Sequence, residues 1–181
     1  LPDRLITDVT LRNETLGIEV VCHDLVANRE NVFLRHTKVR DLTSAGRSIR
    51  VFLHHDFRIY ENKVGDTAFY DPETSSLIHY KKHRYFLINS LPHFDQFATG
   101  RKAFRNMEGT WIDAEDGELH GGAITEGSVD STIAVHGSGE FEFYYWIAAG
   151  TSHNEVSELN GSVLENVTAS YFSETSVQQF E

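Results

Sequence analysis

The chain has 181 residues, of which 40% are apolar and 12% aromatic with only three prolines, enough for one domain with a substantial core and unlike a disordered chain. The formal charge of −11, without any stripe of Lys and Arg, excludes nucleic acid as an expected partner, and no apolar run has the length of a membrane span. The single cysteine, Cys22, excludes an internal disulfide and a cysteine-based zinc site. In the strand-like run GIEVVCHDLV it is read as a small buried hydrophobe. Few of the cations are lysines, and such an acidic, lysine-poor surface is expected either of adaptation to high salt or of an ordinary acidic protein. With no signal peptide at the start, a cytoplasmic location is expected. The opening LPDR, without an initiator methionine, is read as the start of a piece of something longer.

In chain order, ITDVTLRNETLGIEVVCHDLV, NVFLRHTKVRDL and SIRVFLHHDFRIYE read as strands, separated by the polar or Gly-containing breaks NETLG, ANREN and TSAGR. Within the third run, period two places Ile49, Val51, Leu53, His55, Phe57 and Ile59 on an apolar face. His54 and Asp56 fall together on the wetter face, where they are expected to pair near solvent, while His55 hydrogen-bonds inside the core. Two ligands on one strand fall short of the three or four a metal needs. The run DTAFYDPETSSLIHYKKHRYFLINS reads as two further hairpins, with a turn at Asp71 and Pro72 and a tip at KKH.

Residues 91–127 break the strand period and read as a long excursion with little regular structure, packed through Phe94, Phe97, Phe104 and Trp111. Strand grammar returns in SVDSTIAVHGSGEFEFYYWIAAG, where HGSGE is a turn and EFEFYYWIA, almost wholly apolar, is expected at the centre of a sheet. Beyond it the period becomes helical: Ser152 and Glu155 have the spacing of a capping box, and Val156, Leu159, Val163, Leu164, Val167 and Tyr171 recur at three- and four-residue intervals. Gly161 marks an expected interruption.

Chemistry-bearing motifs are scarce. The stretch DAEDGELHGG is acidic but lacks the spacing of an EF-hand, since Gly117 falls at the fifth position of the loop and Ile124 at the twelfth. Its carboxylates, Asp113, Glu115, Asp116 and Glu118, lie on one turn and do not face each other across a substrate as glycosidase acids do. There is no G-x-S-x-G elbow, P-loop, H-E-x-x-H or dinucleotide-binding turn, so no catalytic residue, metal site or cofactor is assigned. Tyr60, Tyr70, Tyr80, Tyr85, Trp111 and Trp146 are available as a sugar-binding platform, against the commoner use of aromatics in cores and interfaces. The sequons at Asn13, Asn160 and Asn166 are short enough to arise by chance.

The segments FLHHDFRIYENKVGDTAFYDPETSSLIHYKKHRYFLIN, FATGRKAF, GTWIDAEDGELHGGAITEGSVDSTIAV and YYWIAAGTSHNEVSELN resemble, in order and spacing, the N-terminal β-sandwich of glycoside hydrolase family 15. The likeness is to its archaeal and bacterial glucoamylases, glucodextranases and trehalases, and runs over roughly residues 5–170. It implies a mainly β fold, an antiparallel super-β-sandwich of galactose-mutarotase-like architecture, with a C-terminal linker helix. The expected division is a β-sandwich at 1–150 and a linker helix at 151–181 leading toward an (α/α)6 barrel. In the family that barrel carries the two glutamates that hydrolyse α-glucosidic bonds with inversion. Nothing in this sequence matches the barrel or the first strands of the family's sandwich, so the resemblance implies a non-catalytic domain. The implied partner is the catalytic barrel, with an α-glucan as the alternative. Trp111, Asp113, Glu115, Asp116, His54 and Asp56 are the candidates for contact with the barrel or with sugar.

Overall fold

In the computed structural model residues 6–27, 29–62, 64–102 and 109–167 are described. The strands are β1 (Thr7–Asn13), β2 (Ile18–Val26), β3 (Val32–Asp41), β4 (Ser48–His55), β5 (Asp66–Asp71), β6 (Ser76–Lys81), β7 (Arg84–Leu91), β8 (Gln96–Arg101), β9 (Ile124–Gly127), β10 (Val129–Ser138) and β11 (Glu140–Gly150). Two α-helices accompany them, the single-turn α1 (Thr110–Asp113) between β8 and β9 and α2 (His153–Asn166) after β11. Eight strands form one sheet in the order β1-β2-β3-β11-β7-β6-β5-β9, and three form a second in the order β4-β10-β8. Every neighbouring pair is antiparallel. The fold is therefore the mainly β, antiparallel sandwich expected, and β11 is central, between β3 and β7.

Alternation along β11 explains the layering. Phe143 and Tyr145 point between the two sheets and pack with Val39, Leu77, Ile88, Ile133 and Val135. Trp146 and Ala148 point the other way and pack with Leu34, Leu87, Val156 and Val163, the last two from α2. A strand buried on both faces has no polar side to show, which is why its sequence is nearly all apolar. The helix thus forms a third layer on the outer face of the large sheet. Beyond the reach of α2 the same face becomes charged: Arg12, Glu19, Arg40 and Glu140 make a ladder of ion pairs from β1 to β11.

Ser152 caps α2, its side chain accepting from Glu155 N at 3.2 Å. Glu155 does not reach back to the capping residue; its Oε2 accepts from Thr151 N and Oγ1, each at 2.8 Å. Gly161 does not interrupt the helix, because tertiary contacts by Val156, Asn160 and Val163 on either side hold it to the sheet. Tyr171 and the rest of 168–181 lie outside the described residues, as does Phe104. Cys22 is a buried free thiol. No helix among the described residues is long and apolar enough to cross a membrane.

Two expectations are corrected. The strand carrying the histidines ends at His55, and the chain then leaves the sheet through a short 3-10 turn at Ile59–Glu61. The apolar face nevertheless continues into the core, with Phe57 packed between the sheets and Ile59 buried. The excursion at 91–127 is not structureless: it contributes β8 to one edge of the small sheet and β9 to one edge of the large sheet. A short edge strand needs few apolar side chains, so QFATGR and ITEG lack the alternation that marks a half-buried strand.

Candidate functional site

The described part of the loop between β8 and β9, residues 109–123, lies over the outer face of the small sheet and is fastened to it at several points. Thr110 N donates to Asp130 Oδ2 of β10 at 3.0 Å, and the Thr110 and Thr132 hydroxyls are 2.8 Å apart. Leu119 N donates to Gln96 Oε1 at 3.0 Å. Arg50 of β4 reaches Glu118 at 2.9 Å and also donates to the Gly117 carbonyl. Hydrogen bonds from Gln96 and Arg50 hold the Glu118 carboxyl below its usual range. The last anchor is steric: a Cβ on Gly121 would lie 2.1 Å from Ala98 Cα. Gly121→Ala must therefore lift the loop from β8, and a loss of roughly 1–3 kcal/mol is expected from such overpacking. A lower urea midpoint at unchanged slope measures it.

On this anchored loop α1 presents Trp111, 54% exposed. Asp113 is committed to shaping the loop, its Oδ2 accepting from His120 N at 2.7 Å. Asp116 Oδ1 accepts from Glu118 N at 2.9 Å, and Glu115 is exposed. The loop is thus well held, and Trp111 with the carboxylates is its outward surface. Between β8 and this loop, Gly100, Arg101, Thr110, Asp113 and His120 help line a cavity of about 410 Å³.

His54 and Asp56 do not pair. His54 Nε2 meets Asp130 Oδ2 at 3.2 Å, so that His54 and Thr110 share one buried carboxylate. Asp56 pairs with Lys102, which also donates to the Phe57 carbonyl where the loop leaves β8. The two acidic and basic side chains expected together diverge because the strand ends between them. His54 belongs to the floor of the loop, whereas Asp56 marks its hinge with β8. Sequence reasoning missed Asp130, Thr110, Arg50, Gln96 and Lys102 as its anchors; only the fold brings together groups as distant in sequence as His54 and Asp130. Among the described residues no three His, Cys, Asp or Glu side chains converge as metal ligands do.

The aromatics do not form a sugar platform. Trp146 is fully buried. Tyr70 stacks on Phe97 with ring centres 4.4 Å apart, and Tyr80 on Tyr85 at 5.2 Å. Arg84 and Lys82 lie over the ring of Tyr60. Trp111 is left without a coplanar neighbour of that set.

A second polar constellation runs through the interior. His79 Nε2 is 2.7 Å from Ser131 Oγ, Ser131 Oγ is 3.3 Å from His55 Nδ1, and His55 Nε2 is 2.7 Å from Tyr145 Oη. His79 Nδ1 has no partner. The network assigns the proton of His79 to Nε2, leaving a bare lone pair at Nδ1, after which each group donates to the next toward Tyr145. Burial pushes the His55 pKa down to about 3, holds that of His79 well below normal and raises that of Tyr145. A serine between two histidines has the residue types of a nucleophile and its base. Ser131 is fully buried, however, with no approach for a substrate, and the chain does structural work as the polar core expected of His55.

No protein-family model and no curated protein matches this sequence. Among solved structures, a bacterial glucoamylase crystallised in complex with acarbose superposes with a TM-score of 0.80 at 11% sequence identity, covering 99% of this chain and 27% of that one. The chain spans about a quarter of the length of that enzyme. At this identity the likeness is one of fold: this chain has the β-sandwich architecture that a bacterial glucoamylase also contains.

Proposed function

We propose that the chain is the non-catalytic β-sandwich domain of a family 15-like glycoside hydrolase acting on α-glucosidic bonds, stabilising a catalytic barrel and shaping its entrance. The observation that carries this reading is that a glucoamylase contains nearly the whole of this fold in about a quarter of its length. The order of motifs from HHDF to YWIAAG supports it. In this reading Trp111, Glu115 and Asp116 face the barrel or its substrate, and the segment 151–181 leads toward it.

The alternative is an autonomous carbohydrate-binding module for α-glucans, favoured by the exposure of Trp111 alone. Isothermal titration with maltooligosaccharides, isomaltooligosaccharides and trehalose separates the two. The scaffold reading expects no heat of binding. Saturable heat that disappears in Trp111→Ala establishes the module instead.

A further inference from the structure

The turn at Ile59–Glu61 holds Tyr60 and Glu61 in the left-handed region, with φ of 59° and 56°. Two consecutive non-glycine residues in that conformation are unusual, and such backbone concentrates at working surfaces. The turn faces the β6–β7 hairpin tip, where Lys82 Nζ lies 5.8 Å and Arg84 Cζ 4.9 Å from the centre of the Tyr60 ring. Two adjoining clefts, of about 550 and 480 Å³, share Tyr60, Arg84 and Phe86, and so make one extended trough.

The charges of this trough are unusual for the molecule. Many cations elsewhere are taken: Arg35 by Asp24, Arg47 by Asp41, Arg50 by Glu118 and Lys81 by Asp66. Arg58, Lys82 and Arg84 are exposed and have no carboxylate partner among the described residues. Of the acids lining the trough, Glu155 is engaged by Thr151, which leaves Glu61 against Arg58 and Arg84, with Lys82 at the rim over the Tyr60 ring. In a chain of net charge −11, unpaired cations gathered in one trough form a local positive site on an acidic body.

The aromatics there offer no free platform for a sugar. Phe86 stacks on Phe57 at 4.9 Å and Tyr85 on Tyr80, while the Tyr60 ring is occupied by cations. Guanidinium groups, with their planar fork of donors, suit carboxylates, and a trough of two joined clefts suits an extended ligand. We propose that the trough between the Tyr60 turn and the β6–β7 hairpin binds an acidic polypeptide segment, its carboxylates meeting Arg58, Lys82 and Arg84. This does not depend on the family 15 reading.

The test is fluorescence anisotropy of labelled hexaglutamate with the whole chain at low salt, beside labelled hexaglutamine and oligothymidylate. Hexaglutamate is expected to bind, with affinity falling as salt rises, and to lose about tenfold in the double variant Arg58→Gln, Arg84→Gln. Arg101→Gln, which removes an exposed cation elsewhere, is expected to change it little. Both altered residues are exposed, so circular dichroism should match the parent chain. Absence of hexaglutamate binding, or equal loss in Arg101→Gln, overturns the proposal. Oligothymidylate binding more tightly and being lost in the same double variant also overturns it, in favour of a phosphate-binding site.

Discussion

Trp146→Ala is expected to cost about 3–5 kcal/mol of folding free energy, the range for removing a buried aromatic. Trp146 sits on the face of β11 turned toward α2, directly across from Leu34 of β3 and Asn89 of β7, and is fully buried. Its Nε1 donates to Asn160 Oδ1 at 3.0 Å, and Asn89 Nδ2 donates to the same oxygen at 3.1 Å. The indole is therefore both the largest filler of the sheet–helix layer and one of two donors that fix the middle of α2. Asn160→Ala separates these roles. It removes little volume but strands two buried donors, with an expected cost of about 1–3 kcal/mol for each. Urea unfolding measures both variants. Since a domain of this size is stable by only about 5–15 kcal/mol, the tryptophan variant should lie near the edge of folding. A loss below about 1 kcal/mol for Trp146→Ala would mean that the helix does not pack as described. Asn160 at 3% exposure also closes that sequon to modification in the folded chain.

Stability is expected to fall steadily as pH drops from about 6.5. Burial holds the folded His55 pKa at about 3, against a usual value of about 6.5 for the unfolded chain. Between those values the unfolded state binds a proton that the folded state refuses, so stability rises with pH across the window. It is full above 6.5 and is lost progressively toward 3. From pH 7.5 to 4.5 His55 alone should remove roughly 2–3 kcal/mol. Desolvation shifts His79 and His36 in the same direction, adding to the slope. Asp41, held low by Arg47, and Glu142, held low by His36, contribute their loss mainly below their usual ranges, so the region above pH 4.5 reports chiefly on histidines. His55→Gln keeps a group able to bond Tyr145 or Ser131 and cannot titrate. Urea midpoints across this pH range should show a shallower slope for the variant. An unchanged slope would place the acid sensitivity elsewhere.

Much of the fold was legible because most strands are half-buried and alternate, and the turns at Asp71–Pro72 and Lys82–His83 have their own chemistry. The edge strands β8 and β9 were not. In β8 the residues Ala98, Thr99 and Gly100 lie beneath the α1 loop, and small side chains that admit a covering loop do not look like a strand. The end of β4 was hidden for the opposite reason: Phe57 and Ile59 continue the apolar alternation after the chain has left the sheet. That error misplaced Asp56 and, with it, the partner of His54. Trp111 and its acidic neighbours were legible as a surface feature, and the structure gives them a firm base. The anchors of that base were beyond reach, since Asp130 joins His54 only after β10 pairs with β4. The trough at Tyr60 was equally hidden: Arg58, Lys82 and Arg84 are ordinary residues of a turn and a hairpin, and only the fold gathers them around one ring.

The central claim, a glycosidase-type sandwich without chemistry of its own, is tested most directly by assaying the purified chain for glucose release from maltooligosaccharides, isomaltooligosaccharides and trehalose. No glucose above the uncatalysed background is the predicted result. Sustained release that follows the chain through purification and is lost on substituting Asp113, Glu115 or Asp116 would contradict it and make the α1 loop an active site.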